Sequence, residues 1–220
     1  MAETFTATAN NNSTIGYALY GSTTWNKGSS NGACQGAYQG TTAAKSRVGV
    51  MIFANAGTTL KGKVIQQIVF SITCSGAGSG SSSKVMSFRQ AAHQTVSSGY
   101  TGADMVGAAL GTLTGKFYNN TASHTLNAST NAAFFNALAA YLSAGNQALV
   151  VYNGETSSSS GYSTNYARIT SITITVTYVA ATVWYRNGTT WKQCAVYYRL
   201  NGAWVQVVPY YNSGGSWIRV

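Results

Sequence analysis

Charge is what this sequence has least of. Only 7% of its 220 residues are Asp, Glu, Lys or Arg, against roughly 25% in an average globular domain. The water-facing surface therefore has to be built from Ser, Thr, Asn, Gln, Gly and Tyr. Extracellular β-proteins look like this, because their strands favour Thr and Tyr and their turns Gly, Asn and Ser. Acids are the scarcest of all: Glu3, Asp104 and Glu155 are the whole set. A glycosidase-type carboxylate pair would have to be Asp104 with Glu155. The two histidines, His93 and His124, stand outside any nucleophile elbow or metal-binding pair. Residues 76–80 (GAGSG) share only composition with a phosphate loop, lacking its Lys-Ser/Thr ending. The sequence is thus expected to be non-enzymatic, with no cofactor and no metal. Asp104 is expected as a turn residue and His93 as a satisfied sheet residue.

Cysteine is also sparse. Cys34, Cys74 and Cys194 are odd in number and have no short paired spacing. That argues against a disulfide framework and against a thiolate zinc site. A single Cys34–Cys74 bridge stays open, with burial as small hydrophobes the first expectation. No stretch approaches the roughly 18 apolar residues of a membrane span. The start, Met1-Ala2-Glu3-Thr4-Phe5, lacks the basic head and apolar run of a signal peptide.

What is present is a large apolar fraction, 45%, in a chain long enough to bury a core without metals or disulfides. Thirteen Lys and Arg against three acids give a formal charge of +10. The cations are scattered and form no tract, which reads as a solubility device ahead of a nucleic-acid surface. Anionic cell-wall polymers would suit the same charge.

Along the first 180 residues, short β patterns alternate with polar loops. Residues 5–9, 14–20, 63–73, 85–92 and 148–152 read as strands. Residues 47–54 (RVGVMIFA) form an apolar run suited to a strand buried on both faces. In residues 168–178 (RITSITITVTY), Ile172, Ile174 and Val176 alternate cleanly. One helix is expected. Ser129 or Thr130 is placed to cap it, Phe134, Phe135, Leu138, Tyr141 and Leu142 make its stripe, and Gly145 ends it. Its apolar face is expected to cover an open end of a sandwich. The fold class is all-β: a jelly-roll β-sandwich with one short helix over residues 1–180, then a C-terminal hairpin meander over 181–220.

That C-terminal segment is a repeat. Residues 183–195, 196–208 and 209–220 align without gaps, and Trp191, Trp204 and Trp217 recur every 13 residues. Asn187-Gly188, Asn201-Gly202 and Gly214-Gly215 supply hairpin-turn pairs. Flanking Tyr and Trp would then meet as cross-strand pairs. A lone hairpin is marginal in water, so the units should pair with one another or stack on partners. Trp184, Trp191, Tyr198, Trp204, Tyr211 and Trp217 are the candidate glycan or assembly surface. Packing or oligomerisation is the first expectation for these rings and sugar contact the second.

Two resemblances follow from these residues. The order of the 46–53 strand (SRVGVMIF), an Ile/Val strand, the short helix (AAFFNALAAYLSAG) and a closing TVTY strand covers roughly residues 1–180. It resembles the carbohydrate-binding-module-like jelly rolls of bacterial cell-surface and phage proteins, including the group related to disaggregatases. The chain departs from that group in lacking most of the acids that calcium sites there use. Tyr198-Arg199-Leu200-Asn201-Gly202-Ala203-Trp204 is similar to the aromatic hairpin tails of tail-associated proteins from phages and prophages of Gram-positive bacteria. An extracellular composition without a leader also fits a protein made in the cytosol and released by lysis. Together these imply a non-catalytic phage virion protein, tail- or capsid-associated, with other virion proteins as partners and a homo-oligomer, a trimer first, as its state. The alternatives are a carbohydrate-binding module for a host wall polysaccharide and, third, a nucleic-acid-binding protein. No membrane partner is expected, and nucleic acid is the weakest of the three readings.

Overall fold

The computed structural model describes residues 2–10, 15–19, 25–27, 33–39, 44–75, 83–97, 99–116, 121–155 and 161–180. It also gives the strand backbones 183–187, 190–194, 196–200, 203–207, 210–213 and 216–219. The chain begins with β1 (Glu3–Asn10), β2 (Ile15–Leu19), β3 (Trp25–Lys27), β4 (Ala33–Gln39) and β5 (Ala44–Ile52). A helical turn, α1 (Ala56–Thr59), leads to β6 (Lys63–Ser75) and β7 (Lys84–Ala91). Next come α2 (Gly102–Met105), β8 (Val106–Gly115), β9 (Thr121–Asn127) and α3 (Ala132–Ser143). β10 (Ala148–Val151), β11 (Gly161–Tyr162) and β12 (Ala167–Ala180) complete this part.

These strands form one antiparallel sheet whose hydrogen-bonded path runs β8-β7-β10-β5-β4-β12-β6-β9. Off the path, β1 pairs with β12, β2 with β5 and β3, and β11 with β4. β4 is the corner, pairing with β12 through Ala33–Gln35 and with β5 through Gly36–Gln39. The path's two ends are brought together by α3, which packs on β8, β9 and β6. The result is an all-β, nearly closed fold of sandwich or barrel type. The helix therefore does more than cover an open end: it lies against both edge strands of the path, β8 and β9.

The alternation of β12 explains the core. Ile172, Ile174 and Val176 face inward, fully buried. Ile169 faces inward as well because a bulge between Ile169 and Ser171 resets the phase. Across the interior, the rings of Phe70 in β6, Phe88 in β7 and Phe134 in α3 lie 5.1 to 6.1 Å apart. That spacing is typical of favourable aromatic packing. β5 is buried on both faces, as its apolar run suggests. Met51 joins the main core, while Val48 and Val50 join a second cluster with Ala148, Val150 and Met105 of α2.

The start of α3 differs from expectation. Its N-cap is Asn131, in the left-handed region at φ 53°, without a side-chain cap bond. Ser129 and Thr130 instead donate their N–H groups to the Asn127 side-chain oxygen, an Asx turn that leads the chain in. At the other end Gly145 takes φ +96°, the left-handed stop the sequence suggests. Tyr141 anchors the last turn of the helix. Its hydroxyl donates to the Ala148 carbonyl at 2.8 Å and accepts from Gln94 at 2.9 Å.

The repeat forms three hairpins: β13 (Val183–Asn187) with β14 (Thr190–Cys194), β15 (Val196–Leu200) with β16 (Ala203–Val207), and β17 (Tyr210–Ser213) with β18 (Ser216–Arg219). Each is its own two-stranded ladder, and among the described residues no strand of one hairpin pairs with the next.

Candidate functional site

Two places offer recognition chemistry, the hairpin faces and a cleft on β7–β8. In the hairpins the register is the informative observable. Trp191 stands opposite Arg186, Trp204 opposite Arg199 and Trp217 opposite Asn212. The expected Tyr–Trp pairs are therefore not directly opposed; an Arg or Asn takes that position in every unit. Trp184, Tyr197 and Tyr210 stand opposite Gln193, Gln206 and Arg219. Because faces alternate along a strand, one face of each ladder holds an aromatic residue, an Arg or Asn, a Trp and a Gln or Arg.

This sorting splits the six candidates. Trp184, Trp191, Trp204 and Trp217 share that repeated face, whereas Tyr198 and Tyr211 fall on the other, opposite Val205 and Ile218. Tyr197 and Tyr210 belong to the repeated face and are missed by motif reading, since period alone does not reveal register. The middle unit's second face carries Val196, Tyr198, Leu200, Ala203, Val205 and Val207, an apolar set suited to packing. The expected turn pairs lie outside the described residues, apart from Asn187, which the ladder makes the last paired residue of its strand.

The cleft comes from two irregularities in the β7–β8 ladder. Register shifts fall between Phe88 and Arg89 and between Arg89 and Ala91, so β8 carries extra residues on both sides of Arg89. Bulges of this kind re-aim side chains and recur beside binding sites. Arg89 is held by its Nε–H, which donates to the Gly107 carbonyl at 2.9 Å. Around it lies a cavity of about 200 Å³ lined by Ser87, Arg89, Ala109, Thr112, Tyr152 and Asn153, with Phe88, Gly111 and Gly154 completing the wall. The Asn153 side-chain nitrogen is buried there, its oxygen accepts from Glu155 N at 3.1 Å, and its amide helps hold the Glu155 carboxylate. β10 ends one residue before Tyr152, so Tyr152 and Asn153 can depart from the sheet at this point.

Beyond the cleft the β7 edge is sealed by side chains. Where β10 stops, the buried Gln35 amide donates to the Val85 carbonyl at 2.6 Å and the Asn165 carbonyl at 2.8 Å. Its oxygen accepts from Ser87 N at 2.9 Å. Asn165 Oδ1 accepts from Val85 N at 3.0 Å. Two side chains thus stand in for the missing strand, satisfying backbone groups that would otherwise be orphaned.

The residues weighed for catalysis are engaged in structure. Asp104 is not a turn residue but the N3 member of a capping box on α2, bonded to Thr101. Those hydrogen bonds hold its carboxyl below the usual range. Glu155 accepts from the Ser163 hydroxyl and from Asn165 N at 3.1 Å. Burial pushes its pKa up, but the Ser163, Asn153 and Asn165 bonds outweigh this and hold it below the ordinary value. His93 lies two residues past β7, not in the sheet, and its ring stacks on Tyr100 with centroids 3.8 Å apart. His124 sits in β9 opposite Phe70, and burial lowers its pKa. The glycine-rich stretch 76–80 lies outside the described residues.

Cys34 and Cys74 are both buried and neither is in a disulfide; the Tyr166 hydroxyl donates to Cys34 Sγ at 3.7 Å. Cys34 pairs with Arg168 of β12 and Cys74 with Ile169, its neighbour, from the other side of that strand. Consecutive strand residues face opposite ways. The two cysteines therefore lie on opposite faces with a strand between them, a placement that no disulfide spans. Among the described residues no helix is long and apolar enough to cross a membrane.

No family model matches this chain, and no curated protein matches its sequence.

Proposed function

We propose that this chain is a non-catalytic surface-recognition component of a phage virion, in which the β domain is the scaffold and the hairpins provide attachment and assembly. The observation that carries the reading is the shared register of the three ladders, which repeats one aromatic–Arg/Asn–Trp–Gln/Arg face. A repeated face multiplies a weak contact by avidity, which suits a repetitive polymer on a host surface. Aromatic residues beside planar hydrogen-bonding side chains suit sugars in particular, so the polymer is a wall polysaccharide of a Gram-positive host. The opposite, apolar face of the middle unit suits packing, and it supports assembly into a homo-oligomer with other virion proteins. Recognition and packing thus each have a face. Nucleic acid is the weaker reading, since the cations remain scattered along the chain.

Immunogold labelling of purified virions with antibody against the chain tests the placement. Labelling at the tail or capsid is expected. Virions free of label, together with a chain that neither associates with virion proteins nor retains on host envelopes, contradict it.

A further inference from the structure

We propose that the cleft over the β7–β8 bulges binds a single anionic sugar residue, one bearing a carboxylate or a phosphate. The inference stands apart from the hairpins and would survive their reassignment. Three observations converge on it. First, Arg89 is the only charged side chain in the lining among the described residues, and its Nε–H bond to Gly107 fixes the guanidinium between the two bulges. A guanidinium has five N–H donors in a planar fork, which matches carboxylate and phosphate oxygens. Second, the buried Asn153 amide, which also helps hold the Glu155 carboxylate, is a further polar group at the same wall. Third, Tyr152 contributes an aromatic wall and Thr112 and Ser87 contribute hydroxyls, the mix by which proteins hold a pyranose ring.

Size sets the length of the ligand. About 200 Å³ lies below the roughly 300–1,000 Å³ of sites for drug-sized ligands, so one ring fits and an extended oligosaccharide does not. Charge sets its sign. Among the described residues no acid lines the cleft, and Glu155, two residues from Asn153, has its carboxylate held by Ser163, Asn153 and Asn165. The +10 chain adds a long-range field that favours anions.

The test is a titration of the full chain, followed by NMR, with D-glucuronate, D-glucose 6-phosphate and D-glucose, and with acetate and inorganic phosphate as fragments. The expected result is binding of one or both anionic sugars, at least about tenfold tighter than glucose, with shifts centred on Arg89, Thr112 and Asn153. Arg89→Gln and Asn153→Ala should each weaken it about tenfold. Ala109→Trp, at an exposed lining position, should block the cleft without burying a new group. This variant decides the matter if Arg89→Gln disturbs the bulge. Trp204→Ala should leave the shifts at Arg89, Thr112 and Asn153 unchanged, which separates this site from the hairpins. Glucose shifting those cleft residues at the same concentrations as the anionic sugars overturns the proposal. So do fragments binding as tightly as the sugars, a tight complex that Ala109→Trp leaves intact, or no binding by either anionic sugar.

Discussion

The ring of Phe134 rests directly on the backbone of Gly111: a Cβ at residue 111 would lie 2.3 Å from Phe134 Cγ. This contact seats α3 against β8 and so joins the helix to one end of the sheet path. Its consequence for stability is specific. Gly111→Ala should destabilise the fold by about 2–3 kcal/mol through overpacking, lowering Tm by roughly 4–12 °C. In a Phe134→Ala background, itself about 3–5 kcal/mol less stable, the same substitution should be close to neutral. Thermal unfolding of the four proteins in this cycle measures the coupling. Additive effects would show that Phe134 is not what excludes a side chain at Gly111.

Gln35→Met keeps the volume and removes both hydrogen-bonding groups. It strands Ser87 N–H and the carbonyls of Val85 and Asn165, now met by the Gln35 amide. A buried group left unsatisfied costs about 1–3 kcal/mol, and with these three only part-buried a loss of about 1–3 kcal/mol in all is expected in chemical denaturation. Hydrogen exchange should rise first at Ser87. A neutral outcome would mean that solvent replaces the amide.

Much of this fold was legible, and the exceptions have reasons. Residues 47–54 and 168–178 gave themselves away because burial on one or both faces leaves a β-branched apolar pattern. β8 escaped notice. Its sequence, VGAALGTLTG, is small and glycine-rich because Phe134 sits against Gly111 and because the bulges break its alternation. β4 (ACQGAYQ) was also hidden, since its buried polar member, Gln35, serves as a surrogate strand contact. The 13-residue hairpin period was visible, yet the face of each ring was not: a one-residue change of register inverts the assignment, and Tyr198 and Tyr211 fell on the unexpected side. The cleft was invisible because Arg89, Thr112 and Asn153 meet only through sheet pairing and bulges.

Stability should fall in acid through Glu155. Its folded pKa is held below the ordinary carboxylate value of about 4.3. A depressed folded pKa contributes stability above the unfolded pKa and loses it as pH falls through the folded value. The wild-type chain should therefore weaken as pH drops below about 4.3, and Glu155→Gln should flatten that acid limb. Asp104, also depressed, accounts for part of the remaining slope. Denaturant midpoints measured across this range give the answer, and identical limbs for both proteins would contradict a stabilising role for the Glu155 hydrogen bonds.

Cys34 and Cys74 should resist chemistry while the chain is folded. Burial pushes both thiols up, Cys74 to about 12, so the reactive thiolate is scarce at neutral pH. Iodoacetamide at pH 8 followed by peptide mass spectrometry should find both unmodified until denaturant is added. A cross-linked Cys34–Cys74 peptide under oxidising conditions would refute their placement on opposite faces.

The central claim is recognition through the repeated hairpin face, and a wall pull-down tests it most directly. The intact chain, Trp204→Ala, Trp217→Ala and the opposite-face control Tyr198→Ala are each incubated with purified Gram-positive walls, and the bound fraction is measured beside the far-ultraviolet circular dichroism. The account predicts that the two Trp variants lose binding with the fold intact, while Tyr198→Ala alters assembly and leaves the affinity of the repeated face in place. Undiminished binding by folded Trp variants, or Trp variants that unfold, would contradict it.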